Sequence, residues 1–155
     1  MTDRANVTIS LRSDIDGEVE QNTFNGEWFR KGSSVFVRYE EASEGEGDSV
    51  VRTIIRYRDG ELSVTRRGDV ESLQTFVAGT KRTGHYESAH AAFHLETETK
   101  LLWVQFGDLT KTGPSDGQLK PDLPMLIEWH YTLLVNDEPT GEFRLRLQAE
   151  ELLLT

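Results

Sequence analysis

The sequence predicts an all-β fold, a single antiparallel up-and-down β-barrel of about eight to ten strands. Three observations carry that expectation. Apolar and polar residues alternate with a period of two from one end of the chain to the other, as half-buried strands require. Turn signals built on Gly, Asn and Asp join consecutive apolar runs into hairpins. No window of about 11 residues keeps the apolar repeat of a helix. Short strands in this number leave open edges unless the sheet closes on itself, and consecutive hairpins favour a closed meander over a sandwich.

The elements follow in order. "NVTISLR" sets Val7, Ile9 and Leu11 on one face and Thr8, Ser10 and Arg12 on the other. "EWFRKGSSVFVRYEE" reads as a strand, a turn at Gly32 to Ser34 and a second strand. "SVVRTIIRYRDGELSVTRR" is two β-rich runs joined at Asp59-Gly60, the preferred pair of a two-residue type I′ turn. Further strands are expected at Leu73 to Val77, Gly84 to Glu87, Phe93 to Thr99, Leu101 to Phe106, Leu126 to Val135 and Phe143 to Ala149, the last two linked by "NDEPTG". The end, "QAEELLLT", is the best helix candidate and reads equally as a strand continuation or a frayed tail. One barrel domain is expected over 1–155, with its core from about 5 to 150 and exposed loops at 40–49 and 107–124.

The Asp59-Gly60 turn also sets a register. Arg58 faces Glu61, Tyr57 faces Leu62, Arg56 faces Ser63, Ile55 faces Val64, Ile54 faces Thr65, Thr53 faces Arg66 and Arg52 faces Arg67. Alternate pairs share a face, so Tyr57, Leu62, Ile55, Val64, Thr53 and Arg66 point inward. Of the two adjacent arginines, Arg66 therefore enters the barrel and Arg67 stays outside beside Arg52. A buried charge left alone costs several kcal/mol. Arg66 must meet a carboxylate, backbone carbonyls, water or an anionic ligand.

Composition narrows the function classes. Asp and Glu number 27 against 17 Lys and Arg, a formal net charge of -10, which argues against broad binding to nucleic acid or an anionic membrane. No apolar run approaches the ~18 residues of a membrane span, and the N-terminus lacks the apolar core of a signal peptide. The chain has no cysteine, which removes disulfides and thiolate metal sites and fits a cytoplasmic location. "RGD" at Arg67 to Asp69 matches an adhesion motif only by its brevity.

With the strands placed, the middle of the chain resembles a known family. "LSVTRRGDVESLQTFVAGTKRTGHYES", then "FHLETETK" and "IEWHYTLLVN", are similar to the YwiB-like proteins, bacterial proteins of unknown function. The resemblance rests on Arg-x-Gly at Arg66 and Gly68, Phe-x-x-Gly at Phe76 and Gly79, Tyr86, a strand with Thr97 and Thr99, and Tyr131 in a long last strand. Where that family follows its tyrosine with Thr-Pro-x-Gly, this chain has Ser88 to Ala91. The resemblance implies a calycin (lipocalin)-like barrel with an interior pocket; it implies no activity and no site residues.

Candidate chemistry is read from the residues. The interior aromatics Tyr57, Phe76, Tyr86, Trp129 and Tyr131 line a cavity for a small, partly apolar ligand, with Arg66 recognising an anionic end. The alternative is that they fill the barrel. Among the histidines, His90 and His94 have a metal-like spacing, but His94 points outward with Glu96 and Glu98, and His85 and His130 supply no third ligand, so no metal and no cofactor is expected. Glu128 and His130 share a face and would form an acid–base pair if that face were interior. No phosphate loop, dinucleotide fingerprint or nucleophile motif occurs. The leading expectation is a non-enzymatic small-molecule binder. The others are an interaction module that holds a protein partner or a homodimer through "EASEGEG" or a strand edge, and an enzyme built on Glu128 and His130.

Overall fold

The computed structural model describes residues 3–42, 50–107 and 121–152. Ten strands form in chain order: β1 (Arg4–Ile15), β2 (Glu18–Lys31), β3 (Ser34–Ala42), β4 (Val50–Arg58), β5 (Glu61–Arg67), β6 (Val70–Phe76), β7 (Lys81–Ser88), β8 (Ala92–Phe106), β9 (Met125–Val135) and β10 (Glu138–Glu151). Each pairs antiparallel with its chain neighbours, and β1 pairs with β10 to close the ring, so among the described residues no strand edge is left open. The up-and-down barrel expected from the alternation is the observed fold. No helix among the described residues is long and apolar enough to cross a membrane.

Turn chemistry explains the sharp hairpins. At Asp59-Gly60 the φ angles are +46° and +83°, and at Asp16-Gly17 they are +52° and +92°; both central residues of a type I′ turn need such values. The hairpin register around Asp59-Gly60 is the expected one, from Arg58 opposite Glu61 to Arg52 opposite Arg67. Between β9 and β10 the turn is Asn136-Asp137, again with two positive φ angles, rather than the six-residue "NDEPTG". The surplus residue is absorbed by a register shift between Pro139 and Gly141.

Three element boundaries correct the sequence reading, and a fourth settles between its stated alternatives. The two runs at Phe93 to Thr99 and Leu101 to Phe106 are one strand, β8, bulged between Thr99 and Leu101. β2 begins at Glu18, far ahead of the expected "EWFR", because main-chain pairing with β1 carries polar residues that have no apolar alternation. Glu40 to Ala42 belong to β3 and not to an exposed loop; the rest of that expected loop, 43–49, lies outside the described residues, as do 108–120 of the other. "QAEE" continues β10 as strand.

The core fills the barrel from the termini upward. Val7, Ile9, Trp28, Leu62, Met125, Leu147 and Ala149 are fully enclosed. One glycine shows how close the backbones come: a Cβ at Gly84 would press on the Leu73 carbonyl oxygen and the Leu95 side chain, so β7 tolerates only hydrogen there. Arg30 fastens the end of the barrel that holds the chain termini. Its Nε donates to Asp3 Oδ1 at 2.9 Å and its Nη1 to the Pro121 carbonyl at 2.7 Å.

Candidate functional site

Strand register builds the site from successive inward rows. In the first, Tyr39, Thr53, Arg66, Ser72, Tyr86 and Phe93 stand opposite one another across β3 to β8. In the second, Val37, Ile55, Val64 and Gln74 are opposed. In the third, Val35, Tyr57, Leu62 and Phe76 are opposed. Arg66 and Leu62 are four residues apart along β5, roughly 13 Å at strand rise. The interior therefore changes from polar to apolar along the barrel, and the polar end is the one that opens.

Arg66 points into that open end, as the hairpin register requires, and its charge is met by Glu41. The Nη2 donates to Glu41 Oε2 at 3.0 Å, with 38% and 24% of the two side chains exposed. Glu41 follows from the same alternation that places Val35, Val37 and Tyr39 inward, one step further along β3. Beneath the pair, Tyr39 stacks on Phe24 with centroids 4.6 Å apart. Burial pushes the Tyr39 hydroxyl pKa well above its ordinary value, and the Glu41 carboxylate adds to the rise while the Arg66 guanidinium opposes it. Thr53 is buried beside Tyr39; its hydroxyl faces the phenol but lies outside hydrogen-bonding geometry.

The mouth cavity has a volume of about 1280 Å³. Phe24, Val51, Val70, Tyr86 and Ala89 give it apolar patches, and Glu20, Gln21, Asn22, Ser88 and His90 a polar rim. Ser88 N–H donates to the Ala91 carbonyl at 2.7 Å, so the β7–β8 connection closes tightly with Ser88 to Ala91 in place of a glycine turn.

The six residues singled out from sequence do not form one pocket. Arg66 and Tyr86 line the mouth, with Tyr86 stacked on Phe93 at 4.9 Å. Phe76, Trp129 and Tyr131 pack together deeper in the barrel; Phe76 lies 4.6 Å from Tyr131 and 6.0 Å from Trp129, ring centre to ring centre. Tyr131 also stacks on Phe143 at 4.9 Å, and burial raises its pKa, with a hydrogen bond involving Gln74 opposing the rise. Tyr57 sits towards the far end against Phe106, its hydroxyl accepting from Gly60 N–H at 3.3 Å. Glu20, Gln21, Asn22 and Glu41 were missed because they lie on stretches that lack apolar alternation.

Glu128 and His130 lie on the outer face of β9, with His130 Nε2 3.7 Å from Glu128 Oε2. Their neighbours Ile127, Trp129 and Tyr131 take the interior, which removes the interior acid–base site. His94 is exposed, as the strand pattern requires. Among the described residues no group of three His, Asp or Glu side chains is arranged to hold a metal ion.

Comparison with known proteins bears on this geometry. A family model for a domain of unknown function (DUF1934) matches residues 6–147. The uncharacterized beta-barrel protein YwiB of Bacillus subtilis (strain 168) is 29% identical over 101 residues, which cover 62% of this chain and 68% of that one. The crystal structure of the ywiB protein from Bacillus subtilis superposes with a TM-score of 0.78 at 23% identity, over 99% of this chain and 96% of that one. That likeness is one of fold.

Proposed function

Because the chain belongs to the DUF1934 family of uncharacterised β-barrel proteins, we propose that it is a cytoplasmic, non-enzymatic binding protein that takes a small, partly apolar, anionic molecule at the open mouth of its barrel, in the manner of a lipocalin. The observation that carries the reading is the setting of Arg66. A guanidinium has five N–H donors, and Arg66 stands in an inward row with one carboxylate partner among the described residues. Its remaining donors face a cavity whose walls include Phe24, Val51, Val70 and Tyr86. The ligand's apolar part rests on those walls and its anionic group displaces Glu41. Phe76, Trp129 and Tyr131 are the packed floor of the site and not its lining.

The test is a thermal-shift panel of anionic metabolites and fatty acids on the wild-type protein and on Arg66→Gln. Saturation at about 100 times Kd adds about 2.7 kcal/mol, or roughly 5–10 °C for a chain of this size. A saturable rise in the wild type that disappears in Arg66→Gln supports the reading. Absence of any stabilising compound, or a rise that is equal in both proteins, overturns it.

A further inference from the structure

The outer face of β1, β10, β9 and β8 carries a second polar cluster, on the outside of the barrel wall, with Arg12 standing opposite Gln21 of the mouth rim. Register sets two neighbouring rows there. Arg12, Arg146, Glu128 and Trp103 oppose one another in the first, and Asp14, Arg144, His130 and Leu101 in the second. Arg12 and Arg146 are like charges directly opposite each other, an arrangement that destabilises a strand pair. Glu128 serves two neighbours, with Oε1 3.3 Å from Arg146 Nε and Oε2 3.7 Å from His130 Nε2. Asp14 Oδ1 is taken up by the Gly17 N–H at 2.9 Å in the adjoining turn. Among the described residues, neither Arg12 nor Arg144 has a carboxylate within ion-pair distance, although the Arg144 guanidinium acts through space on the exposed Glu142 carboxylate two residues before it.

Three guanidiniums and an imidazole thus meet two carboxylates around a depression of about 250 Å³. That volume falls below the ~300–1,000 Å³ of clefts for drug-sized ligands and suits a compact oxyanion. Converging guanidinium forks match the paired oxygens of a phosphoryl group. The other facing arginine pair, Arg52 and Arg67, is a poorer setting. Arg12, Arg144 and Arg146 are exposed too, but Arg146 at 51% is less so than Arg52 at 74%, and the half-buried Glu128 and His130 stand beside it, so its charge is screened somewhat less by water and salt.

We infer that this depression is a phosphoryl-binding site, with Arg12, Arg144 and Arg146 holding the oxygens and Glu128 competing for Arg146. Leu101 and Trp103, next along the two rows, offer an apolar shelf for the organic part of a phosphomonoester. The site does not depend on what the mouth binds.

Inorganic phosphate and phenyl phosphate are titrated at low salt into the intact protein while the arginine Nε–H, His130 ring and Trp103 indole signals are followed by NMR. Saturable shifts at Arg12, Arg144, Arg146 and His130, and not at the other arginines, are expected. Tighter binding of phenyl phosphate with movement of Trp103 identifies an ester as the ligand; equal binding without it identifies the free anion. Arg144→Gln, at an exposed position, should weaken binding about tenfold. Glu128→Gln should strengthen it severalfold, because it removes a competing charge and frees Arg146. Shifts that do not saturate, that appear equally at Arg52 and Arg67, or that survive unchanged in Arg144→Gln overturn the site, as does weaker binding in Glu128→Gln.

Discussion

Neutralising Glu41 and Arg66 singly and together measures what their pair contributes. At contact distance and an effective dielectric near 20, the gross attraction of two unit charges is about 4 kcal/mol. Both side chains remain partly in water, with 24% and 38% exposed, and each loses rotamer freedom in the pair. For such pairs the net contribution falls to about 0.2–1 kcal/mol. Glu41→Gln, Arg66→Gln and the double variant should therefore give a coupling near 1 kcal/mol in urea unfolding, or a few degrees in Tm. The same variants move Tyr39 in opposite directions. Loss of Glu41 removes a charge that raises the phenol pKa, and loss of Arg66 removes one that lowers it. An anionic ligand at the mouth should bind Glu41→Gln more tightly than wild type. A coupling above about 3 kcal/mol would mean a desolvated pair closed to ligands. A coupling of zero with no change at Tyr39 would mean the pair does not form, and either result refutes the reasoning.

Phe76→Ala should cost about 3–5 kcal/mol, because the ring is 1% exposed and packs on Trp129 and Tyr131. Its Tm should fall by roughly 6–20 °C in calorimetry while any ligand-induced rise at the mouth is retained; loss of that rise would make the aromatic layer part of the site. Alkaline titration should reveal the two buried phenols. Tyr39 and Tyr131 have raised folded-state pKa values, so the stability they carry is complete below the ordinary tyrosine value of about 10 and is lost as pH climbs towards the folded values. Tyr131→Phe should flatten the fall in unfolding free energy above about pH 10, and an unchanged slope would contradict its burial.

Much of the architecture was legible because one physical rule governs it. Wherever one face of a strand is buried and the other wet, the period-two pattern exposes both the strand and its orientation. The Asp59-Gly60 turn then fixed a register good enough to send Arg66 inward and Arg67 outward. Packing between distant segments was not legible in the same way. Nothing local in "SLQTF" or "EWHYT" says that Phe76, Trp129 and Tyr131 become one layer while Tyr86, equally aromatic, stays at the rim.

The site was harder to read than the fold for a reason that lies in the site itself. A barrel mouth is where the inward row meets water, so the inward positions there turn polar and the alternation that identifies strands disappears. Glu18 to Asn25 of β2 carry no strand signal, and Glu41 falls where a strand reading and a loop reading overlap, yet both are strand, held mainly by main-chain pairing. Glu20, Gln21, Asn22 and Glu41 all line the mouth. The stretch after Tyr39 could have been rescued by carrying the Val35, Val37, Tyr39 alternation one step further. β2 could have been rescued by treating Asp16-Gly17 as the same turn as Asp59-Gly60, which predicts a partner strand of matching length whatever its composition. In a closed meander, turn chemistry continues to report strands past the point where hydrophobicity stops, and the residues between those two limits are the ones that line the mouth.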